Sequence, residues 1–243
     1  MSRKARKNVD RIMGQRGIIY WANWPDEIKS DTIYAQSIKD GWHYQDLAAG
    51  LSDDEWRLEN GKLIIAPEKT KGNLYKALDS LVTVLKDYKT VTLKDRSAVR
   101  PPSAVRQEHV LRFIVHLSGD RYCPMHLAHM DDKGGNAVKM QWFGRNTNLH
   151  SVWDTKLIES QGYSYTEYAQ MIEDEFGWKR KAIEQATDEE LLRQSYHRVE
   201  EIYRYQETWD ENTYHYIYRW HKDCEEQLYI AGIRLAKLLN EIF

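Results

Sequence analysis

The chain has 243 residues, 42% of them hydrophobic, and its 35 Lys+Arg against 37 Asp+Glu leave a formal charge of -2. That length and apolar fraction supply one sizeable core without asking for a second domain, and the near-neutral balance excludes the broad basic footprint of tight duplex binding. The apolar runs are short and broken by charge, which excludes a membrane-spanning helix, and the first residues do not read as a charged-then-apolar signal segment.

In chain order, Ser2 can cap a first helix in which Val9, Ile12 and Met13 recur at helical spacing, ending near Gly14 or Gly17. Its basic start, SRKARK, reads as a solvated helix face. From Ile18 to Asp46 the chain is aromatic, carries Pro25 and Gly41 and has little clean periodicity, which predicts loops with short helical turns. Between Trp56 and Gly72, WRLENGKLIIAPEKTKG sets an Asn-Gly turn between two short apolar patches, either a small hairpin or a long loop. Leu74, Leu78, Leu81, Val82 and Leu85 form a stripe at helical spacing, and a second stripe runs through Val105, Leu111, Ile114 and Val115, so two core helices are predicted. After the loop MDDKGGN, a third helical region follows Asn148, a fourth covers Tyr163 to Phe176, and charged helices with interleaved tyrosines run from about Lys181 onward. The tyrosines from Tyr196 to Tyr218 read as packing between helices rather than as a base-stacking surface. Without repeat, low-complexity tract or linker, residues 1–243 are expected to form a single domain.

The chemistry concentrates in FIVHLSGDRYCPMH. His116 and Asp120 stand four residues apart at the end of a strongly apolar helix, so both project from one face, a spacing that suits either an ion pair or two metal ligands. His126 follows the Pro124 turn, and NLHSVWD repeats the arrangement with His150 and Asp154. Three imidazoles and two carboxylates so close in sequence are the nitrogen and oxygen set that suits zinc. Asp26 in ANWPDEI and His43 in GWHYQD, both flanked by tryptophans, are further candidates on weaker grounds, since spacing does not tie them to the rest. His129 reads as a neighbour of the site or a surface group, and His109, His197, His215 and His221 pair into none. Cys123 and Cys224 are two free thiols or one long-range bridge, and do not define a zinc site by themselves.

Taken in order, ANWPDEI, WHY, HLSGDRYCPMH, DDKGGN and NLHSVWD resemble the zinc-dependent single-strand nucleases related to bacterial zinc phospholipase C, the S-one/P-one nuclease family. The likeness runs from about Trp21 to Leu157, with a looser tail in AGIRLAKLLN. It implies a mainly α, multi-helical phospholipase C/nuclease-like fold with a zinc cluster at the bottom of a cleft. The implied activity is hydrolysis of phosphodiester bonds in RNA and single-stranded DNA to 5′-phosphates, often with 3′-nucleotidase activity, by a secreted or periplasmic protein. By the matching motifs Asp26, His43, His116 and Asp120 would hold a first zinc, and His126, His150 and Asp154 a second, with Asp26 also orienting the attacking water. Tyr44 and Asp46 match positions where the family stacks a base and binds its edge; Tyr44 as a core aromatic is the competing reading, and Asn136 reads as shaping its loop. The family's third zinc uses an N-terminal Trp and a nearby His that SRKARKNVDRIMG does not offer. The chain is therefore expected to lack the family's N-terminal start, to bind two zincs and to be a weak nuclease. A phospholipase C-like esterase and a metal-binding module with impaired catalysis are the competing functions.

Overall fold

The computed structural model describes residues 1–31, 40–94 and 106–243, with backbone only at 89–94; Val105, expected in the second stripe, lies outside them. Ser2 caps the opening helix Arg3–Met13 by accepting from the Ala5 N–H at 3.1 Å, and Gly14 closes it at φ 72. Ala5, Val9 and Met13 are buried while Arg3, Lys4, Arg6 and Lys7 face solvent, as the small apolar stripe requires. Two short helices follow, Gly17–Trp21 and Trp24–Glu27, the second with Pro25 in its first turn.

Three antiparallel two-stranded ladders lie among the described residues. Gln45–Leu47 pairs with Thr70–Gly72, setting Asp46 opposite Lys71. Trp56–Glu59 pairs with Lys62–Ile65, which decides the hairpin-or-loop alternative for the hairpin. Asn60 at φ 50 and Gly61 at φ 79 give its turn the two left-handed residues that a tight hairpin needs. The third hairpin, Lys139–Trp142 with Arg145–Asn148, was not expected. Its turn puts Phe143 at φ 48, a costly conformation for an aromatic residue. Tertiary contacts hold it there: the Phe143 N–H donates to Thr213 Oγ1 at 3.0 Å, and the ring packs edge-on against Tyr214 at 5.2 Å.

Helices make up most of the rest. Leu74–Lys94 and Gln107–Asp120 pack together, and Val110, Leu111, Ile114 and Leu117 of the latter are fully buried. Each such side chain contributes roughly 1.5–3 kcal/mol relative to exposure, enough to make that helix a firm platform. Leu149–Ser151 continues through a π turn, Val152–Lys156, into Leu157–Glu159. Tyr165–Phe176 starts two residues later than the periodicity implied, because Ser164 and Glu167 form a reciprocal capping box. Arg180–Gln185 and Asp188–Thr208 precede the 30-residue helix Thr213–Ile242. That last helix enters three apolar clusters in turn: Tyr216, Trp220 and Cys224 in one, Tyr229, Ile230 and Ile233 in the next, and Leu239 and Ile242 beside the opening helix.

Candidate metal centre

Two tryptophans explain how loop residues reach the helix. Trp24, two residues before Asp26, packs edge-on against Phe113 at 5.9 Å, and Trp42, next to His43, does the same at 5.6 Å. Phe113 lies one turn before His116, so a single buried ring fastens both loops beside that histidine.

The four side chains converge on one point. His43 Nδ1 and His116 Nε2 are 3.1 Å apart, Asp120 Oδ2 lies 3.2 and 3.3 Å from them, and Asp26 Oδ1 lies 3.8 and 3.7 Å from them. Ligands of a tetrahedral ion bound at about 2.0–2.2 Å sit roughly 3.3–3.6 Å apart, so this spacing fits a zinc-sized cation. The His116 Nδ1–H donates to the Ala22 carbonyl at 2.9 Å, which leaves Nε2 with its lone pair facing the cluster. Asp120 Oδ2 is buried beside both imidazoles yet aligned for a hydrogen bond with neither, and His43 Nε2 is also buried without a partner. Neutral chemistry leaves these polar atoms unsatisfied; a shared cation would satisfy the carboxylate. Burial works against charge on Asp26, but the Lys29 ammonium at 2.8 Å, with His116 and His43 near, more than offsets it and lowers its pKa.

A second group begins where the helix ends. The 3-10 turn Pro124–His126 folds Cys123 back toward His126, and the π turn supplies Asp154. One ligand atom each from Cys123, His126 and Asp154 lies within 4.8 Å of the others, and His126 Nε2 is 3.3 Å from Asp154 Oδ1. His126 Nδ1–H donates to the His43 carbonyl, and His150 Nδ1–H to that of Gly134 at 2.8 Å, so both present Nε2 elsewhere. The His150 ring lies against that of His126, centroids 5.0 Å apart. Asp120 stands between the groups, Oδ2 in the first and Oδ1 3.8 Å from His126. Burial opposes charge on His126, yet Asp120 and Asp154 raise its pKa, and that imidazolium in turn lowers Asp154 against the effect of burial. His150 is kept neutral by burial and by the charge on His126. Cys123 completes a C-x-x-H spacing that sequence reasoning passed over, although that pattern was the available signal.

Two cavities meet along this row, and Asp26 and Asp154 line both. One, of about 850 Å³, has Glu27, Glu159, Cys123 and Cys224 in its wall. The other, of about 410 Å³, is bordered by Tyr44, Asp46, Asn136, Lys29, Lys71 and Lys133. Tyr44 is half-buried, and Gly72 at φ 104 is what lets it pass: a Cβ there would stand 2.2 Å from the Tyr44 carbonyl oxygen. A Cβ at Gly134 would stand 2.9 Å from Asp46 Oδ1, so the Gly-Gly turn closes over that carboxylate. Asp46 is 4% exposed, its Oδ1 has no partner, and burial, reinforced by Asp132 and opposed by His126 and Lys71, pushes it up to about 7. Asn136 donates to the Lys133 carbonyl at 2.8 Å, which fits its expected loop-shaping part.

The remaining histidines have other partners. His129 pairs with Glu200 at 2.8 Å and stacks on Tyr203, His109 lies on Trp24, His197 and His215 bind Asp53 and Asp210, and His221 bonds its own helix at Ile217. Cys123 and Cys224 are free thiols. The tyrosine-rich run divides: Tyr196 and Tyr216 are fully buried, whereas Tyr214 and Tyr218 are 72% and 87% exposed.

A family model described as S1/P1 Nuclease matches residues 1–243. The chain is 35% identical to Endonuclease 2 of Arabidopsis thaliana over 74 residues, 30% of this chain and 26% of that protein. It is 44% identical to Endonuclease 4 of the same plant over 55 residues, 23% of this chain and 18% of the relative. With Nuclease S1 of Aspergillus oryzae it shares 28% identity over 85 residues, 35% of this chain and 27% of that protein. The aligned stretches thus span little more than a quarter of these relatives at most.

Proposed function

The chain belongs to the S1/P1 nuclease family, and from that premise we propose that it is a zinc-dependent phosphodiesterase that hydrolyses RNA and single-stranded DNA to 5′-phosphates and removes 3′-phosphates from nucleotides. The observation that carries this reading is the convergence of Asp26, His43, His116 and Asp120 at 3.1 to 3.8 Å around a buried carboxylate oxygen, Asp120 Oδ2, that lacks a partner. In this reading those four residues hold one zinc, and His126, His150 and Asp154 hold another. Bound zinc supplies Lewis acidity toward water and the phosphoryl oxygens.

The chain's own groups do the rest. Asp26, half-exposed where the two cavities meet and with a lowered pKa, stays an acceptor at neutral pH and orients the attacking water toward phosphorus. Lys71 and Lys133 at the rim of the smaller cavity offset phosphodiester charge. Tyr44 offers a ring face to a base, and stacking demands that the base be unpaired, which accounts for a single-strand preference. Asp46, poised near neutral pH, can either donate to or accept from the base edge. By family resemblance the protein acts outside the cytoplasm, as one domain over residues 1–243.

Zinc counted per chain by elemental analysis, with parallel assays on denatured DNA and phosphatidylcholine, tests the proposal. We expect two zincs, cleavage of denatured DNA that chelation abolishes and zinc restores, and no phospholipid hydrolysis. Phosphatidylcholine as the better substrate would favour the esterase reading, and metal retained without hydrolysis of either would favour a binding module.

A further inference from the structure

Cys123 has no place in the proposed mechanism, although its sulfur faces the ligands of the second group. It shares with His126 and Asp154 a set of atoms within 4.8 Å of one another, closer company than the spacing of histidines alone would select. The Pro124–His126 turn fixes that approach, since a C-x-x-H segment wound as a single 3-10 turn brings its first and last side chains to one side. Cys123, Asp120 and Asp154 also line the wall of the larger cavity together.

We propose that the Cys123 thiolate is a further ligand of the second metal, making that site a mixed sulfur, nitrogen and oxygen site with His126, His150 and Asp154. Binding breaks the Sγ–H bond, forms an Sγ–metal bond and releases the proton to solvent. A thiolate makes this site select zinc, cadmium or cobalt over magnesium or manganese, whereas the first group, of imidazoles and carboxylates, discriminates less. The inference rests on the metal-binding reading given above.

The test uses the full chain loaded with cobalt(II). Nitrogen- and oxygen-bound cobalt shows visible ligand-field bands, while sulfur adds a near-ultraviolet charge-transfer band, so the two readings report separately. We expect both signals in the wild type, loss of only the near-ultraviolet band in Cys123→Ser, and retention of both in Cys224→Ser. Because the chain holds 2 cysteines, a band kept in Cys224→Ser identifies Cys123 even where Cys123→Ser does not fold. Visible bands without a sulfur band in the wild type, or a sulfur band that survives Cys123→Ser or disappears in Cys224→Ser, overturn the inference alone. Failure of the wild type to bind cobalt overturns the metal-binding reading and this inference with it.

Discussion

The two ligand groups are built from similar side chains and prepared in opposite ways. The first is shaped by apolar packing: Phe113 anchors Trp24 and Trp42, a backbone carbonyl fixes the tautomer of His116, and Asp120 Oδ2 and His43 Nε2 are left without partners. The second is satisfied by its own protons, with charged His126 held between Asp120 and Asp154 and Cys123 kept as a thiol. A cation in the first group would give Asp120 Oδ2 a partner without displacing one. A cation entering the second must first expel protons. Affinity in the first is therefore set by how well a remote core holds its geometry, and in the second by pH.

Substituting a residue of the first group tests this contrast most severely. His116→Ala should remove metal from the first group, lower kcat on denatured DNA by about 10²–10³ or more, and reduce the gain in Tm on adding zinc to the part that the second group contributes. Wild-type metal content and Tm in this variant would refute the ligand assignment. Phe113→Ala acts on the same group through its anchor, costing about 3–5 kcal/mol of stability and weakening metal at the first group more than at the second. Equal weakening of both, measured by competitive metal titration, would show that the tryptophans are merely packed there.

The second group should answer to acid instead. Each proton displaced makes affinity fall about tenfold per unit of falling pH, so the second metal should leave before the first as pH is lowered from 8 to 5. In the metal-free chain the sign reverses: the raised pKa of His126 contributes stability that is fully present below the ordinary histidine value of 6.5 and lost as pH rises through its folded value. Titration calorimetry in two buffers of different ionisation enthalpy counts the protons, and equal counts for both metals would erase the contrast. The smallest expected effect lies outside both groups: Tyr44→Ala should weaken single-stranded binding by about 1–3 kcal/mol without changing metal content. Unchanged KM and kcat would assign Tyr44 to packing.

Much of this was legible in the sequence because it is local. The helix stripes, the Ser2 cap, the Asn-Gly turn, though not whether it closes a hairpin or a loop, and the His-x-x-x-Asp pair on the Gln107–Asp120 helix depend on neighbours a few residues away. Asp26 and His43 were weak by spacing since 90 and 73 residues separate them from His116, and only the resemblance joined them to it. The Phe143 hairpin was hidden because its left-handed aromatic is held by Thr213 and Tyr214, distant in sequence. Cys123 is not legible as a ligand from cysteine count alone, because its neighbours in space are a histidine and an aspartate and not the other cysteine of a motif.

The Thr213–Ile242 helix gives the molecule a vectorial character during synthesis. Every ligand of both groups precedes it in sequence, yet the apolar clusters around those ligands take side chains from it, as does the cluster of the opening helix. While the ribosome still holds that helix, the nascent chain carries a full set of imidazoles, carboxylates and a thiol on surfaces whose cores are unfinished. Docking of that helix therefore completes the apolar clusters on which both candidate groups rest.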